Sequence, residues 1–114
     1  MHEVSLAVSI LDIIEEYAAK TGFNNVNSIR LSFGRLTCIE PKTLAFAFKV
    51  QSEGTRADGA KLVFEVLPIE IHCLSCGSDS QLELYSGTCP KCGQTEILVT
   101  GGKQDLKMID MEVD

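Results

Sequence analysis

Between Val4 and Lys20 the apolar residues Leu6, Ile10, Ile13, Ile14 and Tyr17 recur at every third or fourth position, the spacing that lines one face of an α-helix. Thr21-Gly22 ends it, because glycine relaxes into a left-handed C-terminal cap at little cost. The stretch Asn27-Ser28-Ile29-Arg30-Leu31-Ser32-Phe33 then alternates polar and apolar up to Gly34, the period of a strand with one buried face. Glu40-Pro41 opens a second helix, with proline in the first turn where its missing N–H costs nothing, and Leu44, Ala47 and Phe48 form its inner stripe. A polar loop runs from Glu53-Gly54 to about Gly59. A second strand covers Lys61 to about Leu67 and is interrupted by Pro68. The final run, Leu106 to Val113, alternates again with a phase slip at Met108-Ile109, which suggests a bulge.

Between Pro68 and Gly101-Gly102 the pattern changes: large apolar residues thin out and four of the five cysteines appear. Such a segment is too small to bury a core unaided. The expected architecture is therefore α+β, two helices on a three-stranded mixed sheet, with a four-cysteine zinc-ribbon module inserted before the last strand. Residues 1–68 with 103–114 make up the first domain and 69–102 the insertion, with Pro68 and the glycine pair as hinges.

Cys73-Leu74-Ser75-Cys76-Gly77 and Cys89-Pro90-Lys91-Cys92-Gly93 are two copies of one device. Two residues between cysteines let a tight turn aim both sulfurs at one point, and the following glycine lets the backbone fold back so that N–H groups approach them. Four thiolates in tetrahedral array suit Zn²⁺; rubredoxin-like iron and a redox dithiol pair are the competing readings. A four-thiolate site is closed and leaves no position for substrate, which argues against catalysis at the metal. His72, just before the first knuckle, reads as an exposed neighbour or as a source of pH or metal sensitivity. Cys38, without a partner at ligand spacing, reads as a small buried hydrophobe rather than a reactive thiol.

Composition narrows the partners. The chain has 114 residues, 45% of them hydrophobic, enough for a packed core. Its net charge is −6 and its basic residues are scattered singly, Lys91 alone falling between Pro68 and Gly102; nucleic acid and anionic membrane, which need clustered Lys and Arg, are poor partners. No apolar run is long enough to span a bilayer, and no signal peptide is read. The cytosol is the expected compartment, where cysteines serve as metal ligands or free thiols more than as disulfides.

The histidine at position 2 raises a second metal question. The α-amine of Met1, the backbone nitrogens of His2 and Glu3 and the His2 imidazole can close five- and six-membered chelate rings, and such planar nitrogen sets suit Ni²⁺ and Cu²⁺. Initiator Met is expected to be retained ahead of a bulky His, keeping that amine in the set. Equally, His2 could be idle and Glu3 no more than an acid favoured at a helix N-terminus.

Met1-His2-Glu3-Val4-Ser5-Leu6-Ala7, Gly34-Arg35-Leu36-Thr37-Cys38-Ile39-Glu40, the paired Cys73/Cys76 and Cys89/Cys92 knuckles and the apolar-acidic strand from Met108 to Val113 together resemble the HypA/HybF family of nickel chaperones for nickel–iron (NiFe) hydrogenase maturation. The resemblance covers essentially the whole chain. It implies a non-enzymatic nickel carrier, with His2 as principal Ni²⁺ ligand assisted by Met1, and Glu3 and Glu40 as acidic positions that help bind or hand over the ion. Cys73, Cys76, Cys89 and Cys92 become structural zinc ligands, and nickel the transient cargo. The implied partners are the GTPase HypB and the hydrogenase large-subunit precursor, and a homodimer stays open. Members that also serve urease carry histidines flanking the cysteine pairs; here only His72 lies beside a cysteine. The rival readings are a zinc-ribbon adaptor or nucleic-acid-binding module with an inert amino terminus, and a small metal- or thiol-dependent enzyme, which lacks an acid/base pair or a nucleophile near a histidine.

Overall fold

The computed structural model describes residues 3–114; Met1 and His2, and the readings made of them, lie outside the described residues. In chain order the elements are α1 (Glu3–Thr21), β1 (Val26–Gly34), a single 3-10 turn (Arg35–Thr37), α2 (Pro41–Gln51), β2 (Lys61–Leu67), β3 (Ile69–Cys73), β4 (Asp79–Leu82), β5 (Ile97–Gly101) and β6 (Lys107–Val113). They form a three-stranded mixed sheet in the order β2-β1-β6 and a second sheet in the order β4-β3-β5. The chain divides into two compact units. One takes in the residues up to Leu31, Ile39–Glu65 and Lys107–Asp114; the other takes in Ser32–Cys38 and Val66–Leu106.

In the first unit α1 and α2 pack on each other. The inner face of α1 is Glu3, Ala7, Ile10, Ile14 and Ala18; Ile13 and Tyr17, expected in the stripe, are 37% and 48% exposed. The face has rotated toward the two alanines, whose small side chains let another element approach closely while Ile13 and Tyr17 stand at its edge. On α2 the expected Leu44, Ala47 and Phe48 are the buried residues. β1 behaves as its alternation requires, with Ile29, Leu31 and Phe33 buried and Arg30 facing solvent. As the central strand it is covered on its inner face, which is why its apolar set is the largest of any strand. Asp114 and Asn25 exchange backbone hydrogen bonds, so β6 runs against β1, and the exposed Arg30 guanidinium grips both Asp110 carboxylate oxygens at 2.9–3.1 Å. The polar loop after α2 is tied down by Arg56, which donates to Glu15 at 2.8 Å and to the Phe23 carbonyl at 2.7 Å.

The second unit is built on β3, paired antiparallel with β4 on one side and β5 on the other. Ile69 and Ile71 face inward from β3. Gly34 and Gly102 meet so closely that a Cβ on Gly34 would overlap the Gly102 carbonyl. Around this contact Leu36 N donates to Gly102 O and Gly34 N to Gln104 O, both at 2.8 Å. Cys38 corrects an expectation: it is exposed, not buried, and caps the 3-10 turn in the left-handed conformation with φ +61°. A three-residue turn with no buried member offers no core for its side chain to enter.

Candidate metal centre

β3 ends at Cys73, and the chain turns at once through the first knuckle into β4. Cys73 N donates to Ser78 O at 2.9 Å and Gly77 N returns to Cys73 O at 2.9 Å. The second knuckle repeats this: Cys89 N donates to Gln94 O and Gly93 N to Cys89 O, each at 2.8 Å. The repeat needs a left-handed residue at the same place, and Gly77 and Gly93 supply it with φ of +75° and +78°. The reason for the glycine after each second cysteine is thus conformational. In each knuckle the first sulfur-bearing residue is buried and the second exposed: Cys73 and Cys89 inside, Cys76 and Cys92 outside.

The four Sγ atoms lie within 4.8 Å of one another, the one group of three or more such donors among the described residues. Cys73 and Cys92 are 3.5 Å apart and Cys76 and Cys89 3.8 Å. A tetrahedral ion with metal–sulfur bonds near ~2.3 Å places its sulfurs about 3.8 Å apart, so the cluster has the dimensions of such a site. The donors form it across two knuckles, not within one, which is what a metal cross-link requires.

Electrostatics points the same way. The Ser78 hydroxyl, and then its amide, draw the Cys76 thiol below its usual range. The Cys92 amide and, further on, that of Lys91 hold the Cys89 thiol down to about 6 despite desolvation. The Gln94 amide pulls Cys92 the same way, but desolvation and the three neighbouring sulfurs push it up to about 12. Backbone N–H groups thus favour thiolates, while crowding forbids four of them at once without a cation. A divalent cation held by the four sulfurs would resolve that conflict by taking the place of their protons.

Several nearby groups escaped the sequence reading. Ser78 Oγ stands 2.9 Å from Cys76 Sγ; its only signal was its place two residues after a cysteine. Asp79 pairs with His72 Nδ1 at 2.7 Å, and its carbonyl accepts from Lys91 Nζ at 3.1 Å. His72 is thereby committed to a carboxylate on its own sheet. Away from the cysteines, Glu3 is buried in the first turn of α1 and Glu40 is exposed. Glu40 accepts a hydrogen bond from Lys42 N at 3.1 Å as the N-cap of α2. Neither joins a cluster of three or more metal-ligating side chains among the described residues.

Residues 1–113 match the family model described as HypA, hydrogenase/urease nickel incorporation, metallochaperone. The chain is 49% identical over 114 residues to the hydrogenase maturation factor HypA of Syntrophus aciditrophicus and 36% identical over 115 residues to that of Aquifex aeolicus, covering all of both chains in each case. Its fold is similar to the solution structure of the Ni metallochaperone HypA from Helicobacter pylori, with a TM-score of 0.62 at 21% identity over 99% of this chain and 97% of that one. A second solution structure, of a HypA protein, gives a TM-score of 0.66 at 22% identity over 99% and 96%.

Proposed function

The chain belongs to the HypA family of hydrogenase/urease nickel-incorporation metallochaperones, and from that premise we propose that it carries Ni²⁺ at its amino terminus and passes it, with the GTPase HypB, to the large-subunit precursor of a nickel–iron hydrogenase in the cytosol. It acts by ligand exchange and catalyses no covalent step. The observation that carries this reading is the closed character of the cysteine site. Four protein sulfurs already fill a tetrahedron, and their backbone donors are fixed in two matched turns. Such a site keeps its metal, whereas a carrier needs one it can release, so the cargo belongs elsewhere.

The chain has two histidines, and His72 is engaged by Asp79. His2 is the other. Its imidazole, the Met1 α-amine and the backbone nitrogens of His2 and Glu3 offer the nitrogen-rich set that suits Ni²⁺. Both the imidazole and the amine lose protons near neutral pH, so binding weakens as pH falls. Glu3 and Glu40 are the acidic positions proposed to assist uptake or transfer.

We assign the cysteine cluster to Zn²⁺. Bound there, Zn²⁺ would cross-link the two knuckles and balance thiolate charge; the chain's part is to hold the sulfurs with backbone N–H groups and to keep Cys73 and Cys89 out of water. The 69–102 insertion serves as this scaffold, and the rest of the chain serves nickel. Among the described residues no helix is long and apolar enough to cross a membrane.

The test is a nickel titration of protein beginning at Met1 beside a His2→Gln variant. The variant is expected to lose tight nickel binding while retaining its zinc content. Equal nickel affinity in the two would favour the zinc-ribbon adaptor with an inert terminus. Extending the chain ahead of Met1 removes the free amine and is expected to weaken nickel binding in the same way.

A further inference from the structure

The two knuckles match in backbone but not in what surrounds their exposed sulfurs. Cys73 Sγ accepts from Cys76 N at 3.4 Å and Cys89 Sγ from Lys91 N at 3.4 Å, so each buried sulfur is held by amides of its own turn. Of the exposed pair, Cys92 has the Gln94 amide, whereas Cys76 has the Ser78 amide and also the Ser78 hydroxyl at 2.9 Å. That hydroxyl also lies 3.9 Å from Cys89 Sγ, so Cys76 is much the nearer of the two sulfurs it faces. Gln94 stands in the position equivalent to Ser78 in the second knuckle, and no side-chain hydrogen bond to Cys92 from outside the cluster is seen among the described residues. Ser78 is half-buried and its carbonyl is pinned by Cys73 N, which fixes where its side chain starts.

We infer that Ser78 is a positioning residue for the metal: its hydroxyl donates to the Cys76 thiolate, holds that ligand in place and leaves Cys92 as the ligand that opens first. The inference rests on the cluster holding a divalent metal. A hydrogen bond withdraws electron density from a thiolate, which lowers its nucleophilicity toward competing electrophiles and resists its displacement from the ion. Cys76 and Cys92 are both exposed, so without Ser78 neither outer ligand has a side chain guarding it and the two should exchange alike. With it the site has a weak side, at the second knuckle.

The experiment uses full-length protein loaded with Co²⁺ or Zn²⁺, as wild type, Ser78→Ala and Ser78→Thr. In the cobalt form the sulfur-to-metal charge-transfer band of Ser78→Ala is expected to move to lower energy, and Ser78→Thr, which keeps the hydroxyl, to restore it. In the zinc form, release to a chromogenic chelator should be about tenfold faster in Ser78→Ala, the lower end of what loss of such a partner costs a metal site. Limiting iodoacetamide followed by peptide mapping should label Cys92 before Cys76 in wild type and Ser78→Thr, and label both at similar rates in Ser78→Ala. An unshifted band together with an unchanged labelling order in Ser78→Ala overturns the proposal, as does failure of threonine to rescue. Absence of tetrahedral cobalt–thiolate bands in wild type would sink the metal reading itself, an outcome distinct from a cobalt site that forms and ignores Ser78.

Discussion

Gly34 carries no side chain because the Gly102 carbonyl and the Gln104 amide occupy the place where one would go. Gly34→Ala must therefore push apart two backbone segments that hydrogen-bond to each other, and a cost of about 3 kcal/mol is expected, at the upper end for overpacking a tight contact. Thermal unfolding of the variant would show it as a lowered Tm; an unchanged Tm would mean that the segment shifts freely. At this scale the sequence was unevenly legible. The four metal-ligating cysteines and the glycines behind them could be read because their spacing is dictated by a turn that only glycine completes. Cys38 could not, since its exposure follows from ending a turn that buries nothing, and a lone cysteine has no spacing to read. Ser78 was likewise silent, because serine after a turn is common and its aim at Cys76 is a fact of three dimensions.

Among the elements, α2 begins with two devices at once, Pro41 in its first turn and Glu40 as its cap. The Glu40 carboxylate thus has a structural task that competes with any part in nickel transfer. Glu40→Ser keeps a good cap and removes the carboxylate, whereas Glu40→Ala removes both. If Glu40 assists nickel, both variants weaken uptake; if it only caps, stability falls by about 1 kcal/mol in Glu40→Ala alone, read by denaturant unfolding beside a nickel titration. The β1–β6 pairing carries a pH dependence with a definite sign. Arg30 lowers the pKa of Asp110 by hydrogen bonding first and by its charge besides, so the pair stabilises the folded state above the ordinary carboxylate range near ~3.9 and is lost as pH falls through the lowered value. The stability difference between wild type and Asp110→Asn should accordingly be present at pH 7 and vanish well below pH 4. The two helices and the three strands of the first sheet were the most legible part of the sequence, each resting on a periodic run, whereas β3, β4 and β5, four or five residues each, are too short to show a period of their own. The inner face of α1 was less so, because Ala7 and Ala18 weigh little in a hydrophobic pattern yet are chosen by close packing.

For the molecule as a whole, the acidic balance of −6 sets up a field that attracts cations and repels polyanions. The second unit has a modest apolar interior, centred on Phe33, Ile69, Ile71 and the buried cysteines, and a metal held by the four sulfurs would supply what that interior lacks. Treatment with a strong zinc chelator is expected to raise amide exchange across β3, β4 and β5 while α1 and α2 stay protected. Loss of protection in both units together would show that they do not unfold independently. That residues 32–38 pack with this unit was not legible, since nothing in their composition distinguishes them from the strand they continue.

The matched knuckles also have a history in time. Cys76 leaves the ribosome sixteen residues ahead of Cys92 by its position in the chain, roughly one to three seconds at ordinary rates of synthesis. During that interval the nascent chain carries the first pair of cysteines with no complete second pair to close the cluster. Whichever thiol-seeking ion or oxidant is present then meets the site before its cage exists. Newborn chains should consequently be most vulnerable to mismetallation in the seconds before Cys92 emerges.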